Sequence, residues 1–261
     1  MKTSSEDTAD LELLTHGVLE IEGLLVEASN ATLRAVIEHD GRTARCVYKP
    51  VKGEKPLWDF PTGTLAGREV AAFEVARAFG VPLVPPTILR DGPMGQGACQ
   101  LWIEEDGEPL VGFVPAAEVP EGWHAVAAAR GPDGEAYHLA HSGDPAVAML
   151  AALDVVLNNA DRKGAHVLHD GGGGVFGVDH GLSFHTEPKL RTVLWGWAGE
   201  PLTPEVTEAV ERFTTADPEG FARYLTDEET AATFARAAKL LADGRFPELP
   251  ADRAALPWPP I

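Results

Sequence analysis

The chain has 261 residues, 40 Asp and Glu against 21 Lys and Arg, a formal net charge of −19 and 44% hydrophobic residues. That length and apolar content suit one large domain or two coupled lobes; the charge argues against a phosphate-backbone binder, which needs clustered Lys and Arg, and against an anionic membrane surface. No apolar run reaches the ~18–20 residues that span a bilayer, the acidic start has no signal-peptide pattern, and Cys46 and Cys99 alone make no disulfide framework, so a cytoplasmic protein with reduced thiols is expected.

Strands are expected over 18–26 and 33–38, on either side of a polar tip at 28–32, and over 44–49. His39-Asp40-Gly41 between the last two is an Asx-Gly hairpin signal. A Pro- and Gly-punctuated loop over 50–64 precedes a helix over 67–79, which Gly80 ends with Pro82 behind it. An extended segment at 84–89 and a buried strand at 98–103 follow, and residues 104–144 read as an acidic, low-order join. Asp144 can cap a helix with Pro145 at its first position and its body over 146–157. A hairpin of 166–169 and 175–178 is joined by Asp170 and four glycines. Helical patterns recur at 204–213, 218–225 and 227–241, and the proline-rich stretch 247–261 is expected to lie extended on the surface. Strands followed by helices indicate an α+β fold, with a β-rich N-lobe over 1–104 and a mainly helical C-lobe over 105–261.

The charge is uneven. Residues 34–68 carry seven bases (Arg34, Arg42, Arg45, Lys49, Lys52, Lys55, Arg68) against four acids, either a phosphate-facing surface or the wet face of strands. Lys49 ends an apolar strand, and Glu69 sits on the apolar stripe of the next helix, where an acid needs a partner. Lys49 can supply it; alternatively Arg68 and Glu69 pair in solvent at a helix start. In the second half, Asp161 and His166 precede the hairpin and Asp179 closes it, so the three should converge. Two carboxylates and an imidazole there suit a proton acceptor beside a divalent metal. His166, His169, Asp179, His180 and His185 are dense enough for a zinc hydrolase. However, His166 and His169 would point to opposite faces of a strand, and no zinc motif is present.

At these residues the chain resembles the protein kinase-like superfamily, in particular its phosphatidylinositol 3-/4-kinase-related and HipA-like branches. It is similar to an actinobacterial group that shares the words Leu57-Trp58-Asp59-Phe60-Pro61 and Asn158-Asn159-Ala160-Asp161-Arg162-Lys163. The resemblance implies a two-lobed kinase-like fold that binds ATP with Mg²⁺ or Mn²⁺. In it, Lys49 would hold the ATP phosphates and Glu69 would orient that lysine. Ser29, Asn30 and Thr32 would form the phosphate loop, and the hinge residues Gln100, Trp102 and Ile103 would meet adenine. Asp161 would be the catalytic base, and Asp179 with His166 would hold the metal; Arg162 and Lys163, beside the base, either face the γ-phosphate or a substrate anion or are solvated charges.

Two departures stand out. Position 166 is His where the kinase pattern has Asn, so His166 ligates a softer metal such as Mn²⁺, holds a water, or does not ligate. The tip at 28–32 also lacks a Gly-rich pattern. Trp58 and Phe60 serve as a lid or as anchors of their loop; Trp195 and Trp197 pack the C-lobe or stack on substrate. The implied activity is transfer of phosphate to a hydroxyl of a protein or small molecule, with no nucleic acid and no stable membrane binding. A nucleotide-binding pseudokinase and an AMP transferase remain alternatives.

Overall fold

The computed structural model describes residues 4–25, 32–55, 57, 60, 65–132 and 134–261. It is α+β, with helix α1 (Ser4–His16) leading into strands β1 (Val18–Leu24), β2 (Leu33–His39) and β3 (Arg42–Pro50). Helix α2 (Leu65–Phe79) comes next, then β4 (Thr87–Gly92) and β5 (Gly95–Leu101). These strands form an antiparallel sheet in the order β1-β2-β3-β5-β4. The β2–β3 turn has positive φ at both Asp40 (49°) and Gly41 (77°), which a tight two-residue hairpin requires.

Strand alternation gives the two faces of this sheet different helices. Ala35, Ile37, Cys46 and Cys99 face Leu13 and Leu14 of α1. Ala98 lies on the other face, against Ala66 and Val70 of α2. Lys49 is the cross-strand partner of Ala98, so it projects on the α2 side. Helix α2 is apolar nearly all round because it is sandwiched between this sheet and the helices of the second half. Arg68 fastens it there: 1% exposed, it pairs with Glu229 and donates to Ser183 O.

Two elements depart from the sequence reading. Helix α1 was not expected, because its start is polar and its deeply buried apolar residues, Leu13 and Leu14, come only near its end. Residues 104–144 are no low-order join: β6 (Val111–Pro115), β7 (Trp123–Arg130) and β8 (Ala136–Ser142) form an antiparallel sheet in the order β6-β8-β7. Alanine is a weak strand former, and the run Ala127-Ala128-Ala129 hides β7 from a propensity argument.

Helix α3 (Pro145–Leu157) follows, with Asp144 capping the Ala146 N–H at 2.7 Å and Pro145 in its first turn. A short hairpin of β9 (Val167–His169) and β10 (Val175–Gly177) comes next, then α4 (Pro204–Thr214), α5 (Glu219–Ala222) and α6 (Asp227–Asp243). The main core gathers α2, α3, α4 and α6, with Phe213 against Phe79, Phe221 and Phe234. Among the described residues, no helix is long and apolar enough to cross a membrane. The last stretch lies across the surface, as its prolines imply, and Ala255 O accepts the Thr192 N–H and the Trp195 indole N–H.

Candidate active site

The β3 end, the α2 start and the β10 exit meet at Lys49. Its Nζ donates to Glu69 Oε1 and lies 2.9 Å from Asp179 Oδ1, joining residues 20 and 130 positions away. Glu69 is 2% exposed and its second oxygen accepts the His180 N–H at 3.0 Å. The acid is thus held at both oxygens, so the Arg68–Glu69 alternative does not apply. Burial alone would lower the Lys49 pKa, but Asp179 and Glu69 outweigh it and hold the ammonium well above its usual range. Asp179, about half exposed, is held far below the ordinary carboxylate range, first by Lys49 and against the effect of burial. Its backbone is left-handed (φ 59°), a conformation Asp tolerates better than most residues.

His166 and Asp161 complete the cluster. His166 Nε2 lies 3.4 Å from Asp179 Oδ2, while Nδ1 accepts the Lys163 N–H at 3.5 Å. Burial holds this imidazole down to about 4, so it is neutral at neutral pH. With Nδ1 the acceptor, the ring proton belongs on Nε2, the nitrogen that faces Asp179. Asp161 is raised, primarily by burial and against the pull of Lys163, whose Nζ is 3.3 Å from Asp161 Oδ2.

The loop that carries Asp161 is braced from within. Asn158 ends α3 in the left-handed region (φ 55°), gives its amide hydrogens to His185 O (2.8 Å) and Glu187 O (2.7 Å), and accepts the Lys189 N–H (2.8 Å). Asn159 Oδ1 accepts the Asp161 N–H at 3.0 Å and its Nδ2 donates to Asp154 at 3.0 Å. Arg162 was expected to face a phosphate or substrate anion, or solvent. Instead it is 0% exposed and gives Nε and Nη2 to the Asp154 carboxylate at 2.9 Å each. Its remaining donors reach Val178 O (2.6 Å) and His180 Nε2 (2.6 Å). Arg162 is a strut that ties the Asp161 loop to the residue before Asp179, without reaching the open side of the site. Asp154, Asn158 and Asn159 were missed as positioning residues; the signal was Asp154, a lone acid inside the apolar run of α3.

Other expectations divide. Ser29, Asn30, Trp58, Asp59 and Pro61 lie outside the described residues. Thr32 is 7% exposed and its carbonyl accepts the Leu25 N–H, closing the base of the β1–β2 tip. Gln100 is committed to the sheet, its amide on Thr87 Oγ1 at 2.8 Å, and the Trp102 N–H is taken by Arg45 O at 3.0 Å. Neither group is free for adenine as placed; Ile103 lies past the ladder, partly exposed. Phe60 is an anchor, 6% exposed against Leu65 and Ala160. Trp195 and Trp197 pack, the latter on His124, His141 and Phe246. The basic segment is not a phosphate surface as a whole: Arg34, Arg42, Arg45 and Arg68 pair with Glu22, Asp10, Glu104 and Glu229, and Lys49 alone of these paired bases points into the site.

Among the described residues no three His, Cys, Asp or Glu side chains gather as a ready metal centre. A hard cation such as Mg²⁺ does not require one, since one or two carboxylates with phosphate oxygens and waters suffice. The half-exposed Asp179 carboxylate fits that mode; a His166 Nε2 that carries its proton does not.

No family model matches the chain. It is 42% identical over 261 residues to Protein Rv2133c of Mycobacterium tuberculosis, the alignment covering 95% of this chain and 94% of that protein. Among solved structures, the Helicobacter pylori proinflammatory kinase CtkA matches with a TM-score of 0.47 and 9% identity, over 89% of this chain and 94% of that one.

Proposed function

The chain belongs to the family of Mycobacterium tuberculosis Protein Rv2133c, and we propose that it is an ATP- and metal-dependent phosphotransferase with a two-lobed, kinase-like fold that phosphorylates a hydroxyl. The observation that carries this reading is Lys49, fixed between buried Glu69 of α2 and Asp179 beyond the hairpin. A sheet lysine, a helix glutamate and a metal-binding aspartate in that relation are the parts that position and neutralise a triphosphate.

In this mechanism Lys49 bonds the ATP phosphates, and Glu69, itself locked by the His180 N–H, keeps that ammonium in place. Asp179 would hold a divalent metal, which would supply positive charge to the phosphates. His166 orients the Asp179 carboxylate from behind. Asp161 aligns the acceptor hydroxyl and takes its proton as the new oxygen–phosphorus bond forms and the bond to ADP breaks. Burial raises its basicity toward that task. The chemistry needs positioning and charge neutralisation, which this short set of residues supplies.

The test is ATP turnover with Mg²⁺ or Mn²⁺ by the wild type and Asp161→Asn, together with mass spectrometry of any modified acceptor. Turnover lost by at least ~100-fold in the variant, the upper reach of a general base being ~10⁴, with an added phosphate on the acceptor, supports the reading. An added AMP would replace it with nucleotidyl transfer on the same site. Tight nucleotide binding with equal, near-zero turnover in both proteins would make the chain a pseudokinase, the reading that His166 in place of Asn favours.

A further inference from the structure

The open side of Asp161 is framed by a second arginine that the mechanism leaves unused. Segment 191–193 runs beside the Asp161 loop and is zipped to it. The Arg191 N–H donates to Asn159 O at 2.9 Å, the Arg162 N–H to Arg191 O at 3.0 Å, and the Val193 N–H to Arg162 O at 3.1 Å. Arg162 and Thr192 form the bridge pair, and both point inward, to the Asp154 carboxylate. Side chains alternate along extended backbone, so the neighbours of that pair, Asp161 and Lys163 on one segment and Arg191 on the other, turn to the outer side. Asp161 and Lys163 meet there at 3.3 Å, and the Arg191 guanidinium acts on the same carboxylate through space.

Arg191 is partly exposed and makes no side-chain hydrogen bond or ion pair among the described residues. That is unusual in a chain with 40 acids and 21 bases, where the site's other arginines, Arg68 and Arg162, are both buried and paired. A guanidinium on a fixed stretch of backbone, with no side-chain partner among the described residues and beside the proton acceptor, matches the planar face of a phosphate or carboxylate. Simple surface placement does not account for it, since its backbone is fixed at both the N–H and the carbonyl to the residues flanking Asp161.

We propose that Arg191, with Lys163 across from it, is an anion subsite for the phosphoryl acceptor, and that the acceptor is a small hydroxyl compound bearing a phosphate or carboxylate. The acceptor role rests on the phosphotransferase reading; the anion site rests on the placement of Arg191. Neutral hydroxyl compounds would reach Asp161 without this anchor and would bind more weakly.

The test pairs neutral and anionic forms of the same hydroxyl compound: glycerol with glycerol 3-phosphate and glycerate, and ribose with ribose 5-phosphate. Binding is measured by calorimetry on the full chain with Mg²⁺ and a non-hydrolysable ATP analogue, and the nucleotide affinity is measured separately. The proposal expects the anionic members to bind at least tenfold more tightly than the neutral ones. It also expects Arg191→Gln to lose at least tenfold of that anion affinity, Arg191→Lys to recover part of it, and Arg253→Gln, in the exposed tail, to change nothing. Equal binding of neutral and anionic members, or undiminished anion binding by Arg191→Gln, would overturn it. A response only to vesicles carrying phosphatidylinositol would overturn the small-molecule assignment. Anion binding through Arg191 without any nucleotide binding would retain the anion site and overturn the phosphotransferase reading instead.

Discussion

Replacing Asp154 by Ala strands the most deeply buried cation among the described residues, Arg162. Arg162 and Asp154 are both 0% exposed, and the carboxylate accepts from Arg162 Nε and Nη2, from Asn159 Nδ2 and, at 3.5 Å, from Thr192 Oγ1. A buried pair contributes little net stability compared with a well-packed apolar pair, but removing one partner leaves the other charged and unsolvated, at a cost of ~3–5 kcal/mol. In a chain of this size each kcal/mol lowers Tm by ~2–4 °C, so Asp154→Ala should melt roughly 6–20 °C below the wild type. The double variant Asp154→Leu/Arg162→Met should recover most of that loss, since it removes both charges and refills the space. Calorimetric melting of the wild type and the two variants reads the effect. If Asp154→Ala melts within ~2 °C of the wild type, about the shift that 1 kcal/mol produces, Arg162 escapes to solvent at small cost. The strut argument is then wrong, and Arg162 becomes available to a phosphate after all.

Further outcomes follow from the same geometry. His141 is 0% exposed and burial holds it at about 4, below the ~6.5 of an unfolded histidine. The unfolded chain therefore binds more protons between those values. The contribution of His141 is fully present above pH ~6.5 and is lost as pH falls toward about 4, up to ~3 kcal/mol, so urea midpoints should fall across that window and less steeply in His141→Gln. Lys163 opposes the burial that raises Asp161, so Lys163→Ala should move the acid limb of the turnover–pH profile to higher pH, and an unmoved limb would show that Asp161 does not control it. Pro260 O accepts the Gly164 N–H at 2.8 Å, and a Cβ on Gly164 would meet Ile261 Cδ1 at 2.4 Å. Deleting residues 259–261 should cost ~1 kcal/mol from the lost hydrogen bond, visible as a lower Tm, and should loosen the loop that carries Asp161, visible as faster amide exchange at 161–164.

The sequence made some of this legible because local rules carried it. The Asp40-Gly41 turn, the Asp144-Pro145 helix start and the Asp170 glycine hairpin are short-range signals, and they set which residues flank each strand. From those flanks come the Lys49–Glu69 pair and the convergence of Asp161, His166 and Asp179; that the two groups share one site, 130 residues apart at Lys49 and Asp179, was implied by the kinase resemblance alone. Arg162 shows where that reasoning stops. Its neighbours along the chain point outward, and only the bridge to Thr192 and the acid at Asp154, eight residues back in an apolar helix, turn it inward. The same blindness applies to Arg191, whose significance lies in having no side-chain partner among the described residues, and to the β6–β8–β7 sheet, whose edge strand β7 carries an alanine run that follows no propensity rule. Charge counting misled in one respect: the basic stretch at 34–68 is mostly neutralised by acids from distant parts of the fold.

The central claim, that Lys49, Glu69 and Asp179 form a triphosphate site, is tested most directly by calorimetric titration of Mg²⁺ and a non-hydrolysable ATP analogue into the wild type and Lys49→Met. One nucleotide per wild-type chain is predicted. In the variant the affinity should fall by at least ~10-fold, the lower bound for losing a charged hydrogen bond of ~1.5–3 kcal/mol. Absence of binding to the wild type, or equal affinity in the two proteins, would contradict the assignment.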